Sequence, residues 1–89
     1  MVVPTFTFDS DMNGYVTEPI AIDEQALVHI ELEQPAPVVT LKREKDGGYA
    51  NYGMTPAKSD RYEINITLNK EATIMLATPV AVTKCWVLN

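Results

Sequence analysis

Apolar and polar side chains alternate with a period of two along much of this chain. The alternation runs through residues 5–8, 28–33 and 62–68. Because successive side chains of a strand point to opposite faces, the pattern predicts strands with one buried and one solvated face. Runs rich in β-branched residues at 38–41, 73–76 and 80–88 predict further strands. No stretch carries the 3.6-residue period of an amphipathic helix, so we expect little or no helix.

Turn-forming residues separate these runs at intervals of 8–14 residues, at 11–14, 23–25, 34–37, 45–48 and 69–71. Such spacing is typical of an antiparallel sandwich or small barrel. We therefore predict one all-β domain over residues 1–89. The predicted architecture is a single antiparallel β-sandwich, Ig-like or jelly-roll-like, with about 7–8 short strands. Residues 1–4 are predicted to form an N-terminal arm, because Pro4 blocks continuation of a strand ladder.

The first hairpin has two candidate registers. A two-residue turn at 13–14 would place two acids, Asp9 and Glu18, opposite each other, which costs stability. A three-residue loop over 13–15 instead pairs apolar residues: Phe8 with Ile20, Phe6 with Ile22 and Met12 with Val16. This second register buries one apolar face, so we favour it.

Charge is unevenly distributed along the chain, whose 89 residues carry a net charge of −5. Residues 1–41 hold seven acids and no Lys or Arg, whereas residues 42–89 hold all seven bases and five acids. The acidic balance argues against a nucleic-acid partner, which requires a basic patch. The unevenness has two readings: solvated faces of different strands, or a surface complementary in charge to a partner.

Few residues offer chemistry of their own. Cys85 is the only cysteine, so no internal disulfide forms, and its place between Lys84 and Trp86 in a strand-like run predicts a small core residue. The single histidine, His29, lies on the polar face of a predicted strand and reads as a surface residue. No phosphate-binding loop, serine triad or paired metal ligands occur, so we expect no enzymatic activity and no cofactor. No segment resembles a membrane span or a secretion signal, and the sequon at 65–67 reads as chance.

The string Asp9-Ser-Asp11-Met-Asn13-Gly14 matches the opening of a calcium-binding loop. The twelfth position of that loop is Ile20 rather than a bidentate Glu, and the flanking segments read as strands rather than helices. We therefore predict an acidic hairpin turn with no metal site. A calcium-dependent cell-surface adhesion module remains an alternative function.

The aromatic residues suggest a second alternative, a carbohydrate-binding module, because sugars stack on flat aromatic faces. The candidates are Tyr15, Tyr49, Tyr52, Tyr62 and Trp86. Trp86 lies in the apolar run 85–88 and is predicted to belong to the core. Tyr49 and Tyr52 stand beside glycines, so we expect them to be exposed and to contact a partner protein, where tyrosine is enriched.

Residues 38–53 and 60–89 resemble the β-sandwich domains of bacteriophage virion proteins. In residues 38–53, Val-Val-Thr-Leu-Lys-Arg is followed by Glu-Lys-Asp-Gly-Gly and the aromatic return strand Tyr-Ala-Asn-Tyr-Gly. Strands of the form V-x-L-x-R that end in a D-G-G turn recur in head-decoration, cement and fibre-base proteins. Residues 60–64, Asp-Arg-Tyr-Glu-Ile, and the strands up to residue 89 resemble the second half of those domains.

This resemblance implies a non-enzymatic structural protein that stabilises or decorates a capsid or tail by surface burial and charge complementarity. The implied partners are other structural proteins of the assembly and further copies of the chain, as in a trimer, with neither nucleic acid nor membrane involved. The implied location is the virion, assembled in the host cytoplasm. Candidate partner-binding residues are Met1, Val2, Val3, Tyr49 and Tyr52. A chain this short buries only about 60–65% of its unfolded surface, which also favours burial against a partner.

Overall fold

The computed structural model describes all residues from Met1 to Asn89 and contains nine β-strands and no helix. The strands are β1 (Phe6–Asp9), β2 (Gly14–Thr17), β3 (Ile20–Ile22), β4 (Gln25–Leu32), β5 (Val39–Arg43), β6 (Tyr49–Met54), β7 (Arg61–Thr67), β8 (Ala72–Thr78) and β9 (Val82–Leu88). No helix that could cross a membrane is present. The predicted all-β class is confirmed, with nine strands rather than about 7–8.

Two antiparallel sheets face each other across the core. The larger sheet has six strands. Five of them have the order β1-β2-β8-β5-β6, and β3 also pairs with β8. The smaller sheet has the order β7-β4-β9. A cluster of 14 buried residues fills the space between them. Its most enclosed members come from both sheets: Ile22, Val28, Ile30, Val38, Ile74, Leu76 and Val87. The predicted β-sandwich is therefore confirmed.

The second predicted strand is divided at Glu18 and Pro19, which accounts for the additional strand. Proline has no N–H for the ladder, so pairing with β8 stops after Val16 and resumes at Ile20. At the break, the hydroxyl of Thr17 accepts a hydrogen bond from the Leu76 N–H, with N and Oγ1 3.0 Å apart. The Thr17 side chain thus supplies the acceptor for the Leu76 N–H that a backbone carbonyl would supply in a continuous ladder.

The favoured register of the first hairpin is wrong. Asp9 pairs with Gly14 and Phe8 with Tyr15, so the loop spans four residues, 10–13. Asn13, rather than Tyr15, adopts the left-handed conformation, with φ of 52°. Ile20, expected opposite Phe8, pairs instead with Ile74 of β8. The prediction failed because it treated residues 15–22 as one continuous partner for β1.

The N-terminal segment is docked rather than free. Val2 and Val87 exchange two backbone hydrogen bonds, with N–O distances of 2.9 and 2.8 Å, so Val2 extends the smaller sheet next to β9. Pro4 is buried, and from Thr5 onward the chain runs into β1 of the larger sheet. Residues 1–4, predicted as an arm, form a short segment here that crosses from one sheet to the other.

The Lys45–Gly48 turn forms as predicted between β5 and β6. The Glu44 N–H donates to the Gly48 carbonyl at 2.7 Å, and Gly47 has φ of 92°, a conformation that favours glycine. Near the other end of this hairpin, the register shifts between Thr40 and Leu41, which leaves Tyr52 as the extra residue of a bulge.

Candidate functional site

The outer face of the larger sheet is apolar at its centre. Alternation in β8 sends Ile74, Leu76 and Thr78 into the sandwich, so Met75 and Ala77 point outward. Leu41 pairs with Met75, and Val39 pairs with Ala77, on the same side. Their apolar neighbours in register are Val16 on β2 and Met54 on β6, whereas the β6 neighbour of Leu41 is the polar Asn51. We call the six apolar residues the apolar face: Val16, Val39, Leu41, Met54, Met75 and Ala77.

The six residues lie outside the cluster that fills the sandwich, and they differ in exposure. Val16 and Ala77 are buried, yet neither belongs to the cluster that fills the sandwich. Met54, at the β6 edge, is 66% exposed, and Met12 of the β1–β2 loop is 48% exposed. Between Met12 and the apolar face lies a hollow of about 170 Å³, also lined by Pro79. Outward residues of an antiparallel sheet are normally polar, so an uncharged apolar centre is unusual.

Acidic side chains follow one side of the apolar face. Five of the seven acids of residues 1–41 lie on or between β1, β2, β3 and the start of β4, and we call them the acidic margin: Asp9, Asp11, Glu18, Asp23 and Glu24. All the ion pairs in the structure involve His29 or Arg61 on the smaller sheet, so none includes this margin. The five carboxylates of the margin are therefore without a basic partner in the structure.

The outer face of the smaller sheet has a different character, because charged residues pair across its strands. Glu31 of β4 lies between Arg61 of β7 and Lys84 of β9 in register. The next row places His29 between Glu63 and Trp86. The Nη2 atom of Arg61 lies 3.9 Å from Oε1 of Glu31, an exposed pair that contributes little on its own.

One of two predictions about this row needs correction. Trp86, predicted to be core, points outward, because Cys85 and Val87 on either side of it point inward. The indole is half-buried by stacking on His29, with ring centroids 4.1 Å apart. His29 lies on the solvent-facing side of β4, as predicted, and its ring is held there between Glu31 and Glu63.

Three of the five predicted partner-binding residues lie beside β9. Val2 packs against the core, whereas Met1 and Val3 are 79% and 68% exposed. Since neighbours in an extended segment alternate in direction, Met1 and Val3 point to the side on which Trp86 lies. These residues are therefore remote from the apolar face of the larger sheet.

The other two predicted partner-binding residues, Tyr49 and Tyr52, lie on β6. Tyr52 is 45% exposed, and its hydroxyl donates to the Thr67 carbonyl at 2.5 Å, which ties β6 to β7. Tyr49 is half-buried rather than exposed, its hydroxyl is enclosed without a hydrogen-bond partner, and its ring lies 5.6 Å from the Arg43 guanidinium. Tyr52 therefore turns toward the smaller sheet rather than onto the apolar face, whereas Tyr49, paired with Arg43, lies on the outward side of the larger sheet.

The residues considered for metal binding and redox chemistry have structural roles. Oδ1 of Asp9 accepts hydrogen bonds from the backbone N–H groups of Asp11 and Met12, at 2.9 and 3.3 Å, and so closes the turn. Nowhere do three or more His, Cys, Asp or Glu side chains converge as metal ligands. Cys85 is buried as predicted, and burial raises the pKa of its thiol to about 12.

The aromatic residues considered as a sugar platform are dispersed over the molecule. Tyr15 lies on β2 and makes an edge contact with Phe8, with ring centroids 5.4 Å apart. Tyr62 faces the core, and Trp86 lies on the opposite side of the smaller sheet. Tyr49 and Tyr52 belong to the larger sheet. No single strand face brings these rings together.

The apolar face was missed in the sequence, although a signal for it exists. Residues 38–41 and 73–77 are almost continuously apolar rather than alternating, a pattern typical of strands covered on both faces. The His29 row had no comparable signal, since its members come from three separate strands.

Comparison with known proteins adds nothing to the geometry: no family model, curated protein or solved structure matches the chain.

Proposed function

We propose that this protein is a non-enzymatic structural protein that attaches to a larger protein assembly and stabilises it through the outer face of its larger sheet. The uncharged apolar face, Val16, Val39, Leu41, Met54, Met75 and Ala77, is the observation that carries this proposal. Contiguous apolar surface on a small domain favours association with another protein, because covering it removes nonpolar area from water.

The acidic margin indicates what kind of protein surface fits. Five carboxylates without ion-pair partners border one side of the apolar face, and the whole chain carries −5. A partner with an apolar patch and a basic rim would complement both features. Charges at such a rim mainly steer association and set its salt dependence, while the apolar centre supplies affinity. The hollow beside Met12 and Pro79 has room for one partner side chain.

A bacteriophage capsid or tail is the assembly that we propose. Support comes from the resemblance of residues 38–53 and 60–89 to virion β-sandwich domains, together with a fold that exposes one apolar sheet face. Of the residues first considered for contact, Tyr49 lies on this side of the larger sheet. Carbohydrate binding and calcium-dependent adhesion remain predictions from the sequence, and no contact in the structure favours either.

Cosedimentation tests the proposal. Labelled protein is centrifuged with phage particles and with separated capsid and tail proteins, as wild type, as Met75→Glu and as Asn65→Glu. Met75 lies at the centre of the apolar face, whereas Asn65 is an exposed β7 residue on the opposite side of the sandwich. Both substitutions introduce one carboxylate on a strand, so the second is a matched control.

We expect the wild type and Asn65→Glu to sediment with their partner and Met75→Glu to remain in the supernatant. Binding should weaken as salt screens the acidic margin. Circular dichroism must show all three proteins folded; Met54→Glu, at a more exposed position of the same face, replaces Met75→Glu if folding fails. A wild type that never cosediments, or equal binding by the wild type and Met75→Glu, contradicts the proposal.

A further inference from the structure

His29 occupies the middle of a three-strand row on the outer face of the smaller sheet. Its Nε2 atom lies 2.7 Å from Oε2 of Glu31, on the same strand. Its Nδ1 atom contacts Oε1 of Glu63, on β7. The imidazole stacks on the Trp86 indole of β9, with an angle of 14° between the ring planes. Only 15% of the His29 side chain is exposed, so these three groups largely replace water around it.

This arrangement selects the protonated ring. An ionised carboxylate can only accept hydrogen bonds, and a neutral imidazole has a single N–H. Two carboxylates on the two ring nitrogens are therefore satisfied together only by the imidazolium, which carries an N–H on each. Stacking on the indole favours the same form, since a cation is attracted to an aromatic face.

The surrounding charges are consistent with this assignment. Glu31 and Glu63 face His29 from β4 and β7, and Arg61 and Lys84 flank Glu31 from β7 and β9. The hydrogen bonds that its ring donates to Glu31, the larger effect, and to Glu63 raise the pKa of His29 above its ordinary value. The hydrogen bond with His29, joined by the charges of Arg61 and Lys84, lowers the pKa of Glu31. Glu31 therefore stays ionised when His29 titrates.

We propose that His29 is a pH-responsive latch that holds Glu63 and Trp86 against β4 when protonated and releases them when it loses a proton. On deprotonation one ring N–H proton passes to water. The remaining N–H stays with Glu31, which is 25% exposed and anchored by Arg61. Glu63, 59% exposed, then faces a ring-nitrogen lone pair and turns into solvent.

Release of the indole would change a second apolar surface. Leu88, on the same side of β9 as Trp86, is 43% exposed, and Met1 and Val3 lie beyond β9 on the docked N-terminal segment. These three residues and Trp86 form an apolar patch at one edge of the smaller sheet. The latch thus couples pH to the exposure of an aromatic residue within that patch. It is independent of the proposed docking face, which lies on the other side of the sandwich.

The test is direct because the chain has one histidine and one tryptophan. Imidazole nitrogen resonances report the protonation of His29, and Trp86 emission, with its quenching by acrylamide, reports the indole. We expect both ring nitrogens to be protonated at pH 6 and the His29 midpoint to lie above 6.5, the unperturbed value. Trp86 emission and quenching should change with that same midpoint.

Three variants separate the latch from a general effect of pH. His29→Gln should abolish the fluorescence transition, and Glu63→Gln should lower the His29 midpoint. Glu44→Gln, which removes a carboxylate from the β5–β6 hairpin on the other sheet, should leave it unchanged. A His29 midpoint at or below 6.5, a Trp86 signal that does not follow His29, or an unaltered fluorescence transition in His29→Gln would overturn the proposal.

Discussion

The hydroxyl of Tyr62 forms hydrogen bonds with two chain segments that connect the sheets. Replacing Tyr62 with Phe therefore tests how much this one oxygen contributes to the stability of the fold. The hydroxyl lies 2.7 Å from the Ala36 carbonyl and 2.5 Å from the Pro56 carbonyl, and it accepts from the Ser59 N–H at 3.2 Å. Its single hydrogen serves one carbonyl at a time. The substitution therefore removes one donated and one accepted hydrogen bond and keeps the ring.

Each hydrogen bond contributes about 1 kcal/mol net, so the free energy of unfolding should fall by about 2 kcal/mol. For a domain of this size that corresponds to a fall in Tm of about 8–16 °C. Tyr49→Phe is the matched control, because the Tyr49 hydroxyl is enclosed without a partner. Removing it should leave stability unchanged or raise it by up to about 1 kcal/mol.

Urea unfolding followed by Trp86 fluorescence and circular dichroism measures both changes. The dependence of the unfolding free energy on urea should stay the same in all three proteins, since the exposed area hardly changes. The reasoning is refuted if Tyr62→Phe is no more destabilising than Tyr49→Phe, since each removes one hydroxyl and only that of Tyr62 has hydrogen-bond partners.

Three further predictions concern packing, pH and thiol chemistry. Gly14→Ala would place a Cβ 2.8 Å from the Thr78 carbonyl oxygen, so the unfolding free energy should fall by about 1–3 kcal/mol; a wild-type Tm would contradict this. The folded-state pKa of His29 is raised, so the stability that His29 adds to the fold is complete below pH 6.5 and is lost as pH rises through the folded-state pKa. The folded-state pKa of Glu31 is lowered, so the stability that Glu31 adds is present above pH 4.5 and is lost as pH falls through the folded-state pKa. Thermal unfolding across pH should therefore show a greater difference between the wild type and His29→Gln at pH 5–6 than at pH 9, and an equal difference at both ends would argue against the charged cluster. Cys85 should resist a thiol reagent at pH 8 in the folded protein and react fully in guanidinium, because burial raises its pKa to about 12; rapid reaction without denaturant would show that the site opens.

Strand positions followed from the sequence because the pattern that marks them is local. Alternation through residues 28–33 and 62–68 corresponds to β4 and β7, and the glycines at 47–48 correspond to the β5–β6 turn. Each feature depends on neighbours a few residues away, through side-chain direction in a strand or backbone freedom at glycine. The burial of Cys85 was predicted from its strand-like run, which is also a local feature.

Predictions that required pairing between distant segments failed. The first hairpin was given the wrong register because Pro19 diverts Ile20 to a partner more than 50 residues away, Ile74. The docking of Val2 against Val87 joins the two ends of the chain and leaves no mark in either segment. Trp86 was misplaced because an apolar run was interpreted as wholly internal, whereas its residues alternate between core and surface.

The candidate site, like the fold, could be predicted from the sequence only in part. The apolar character of residues 38–41 and 73–77, and the grouping of acids before residue 41, are properties of the sequence alone. Only the tertiary structure aligns Leu41 with Met75 and Val39 with Ala77, and brings five acids to one side of them. Only the tertiary structure, likewise, places His29 between Glu63 and Trp86. The sequence determined which residues alternate and where the chain turns, because strand geometry acts over adjacent residues. Which strands pair, and which apolar face stays uncovered, was decided in three dimensions, because each depends on hydrogen-bond partners and packing surfaces contributed by remote parts of the chain.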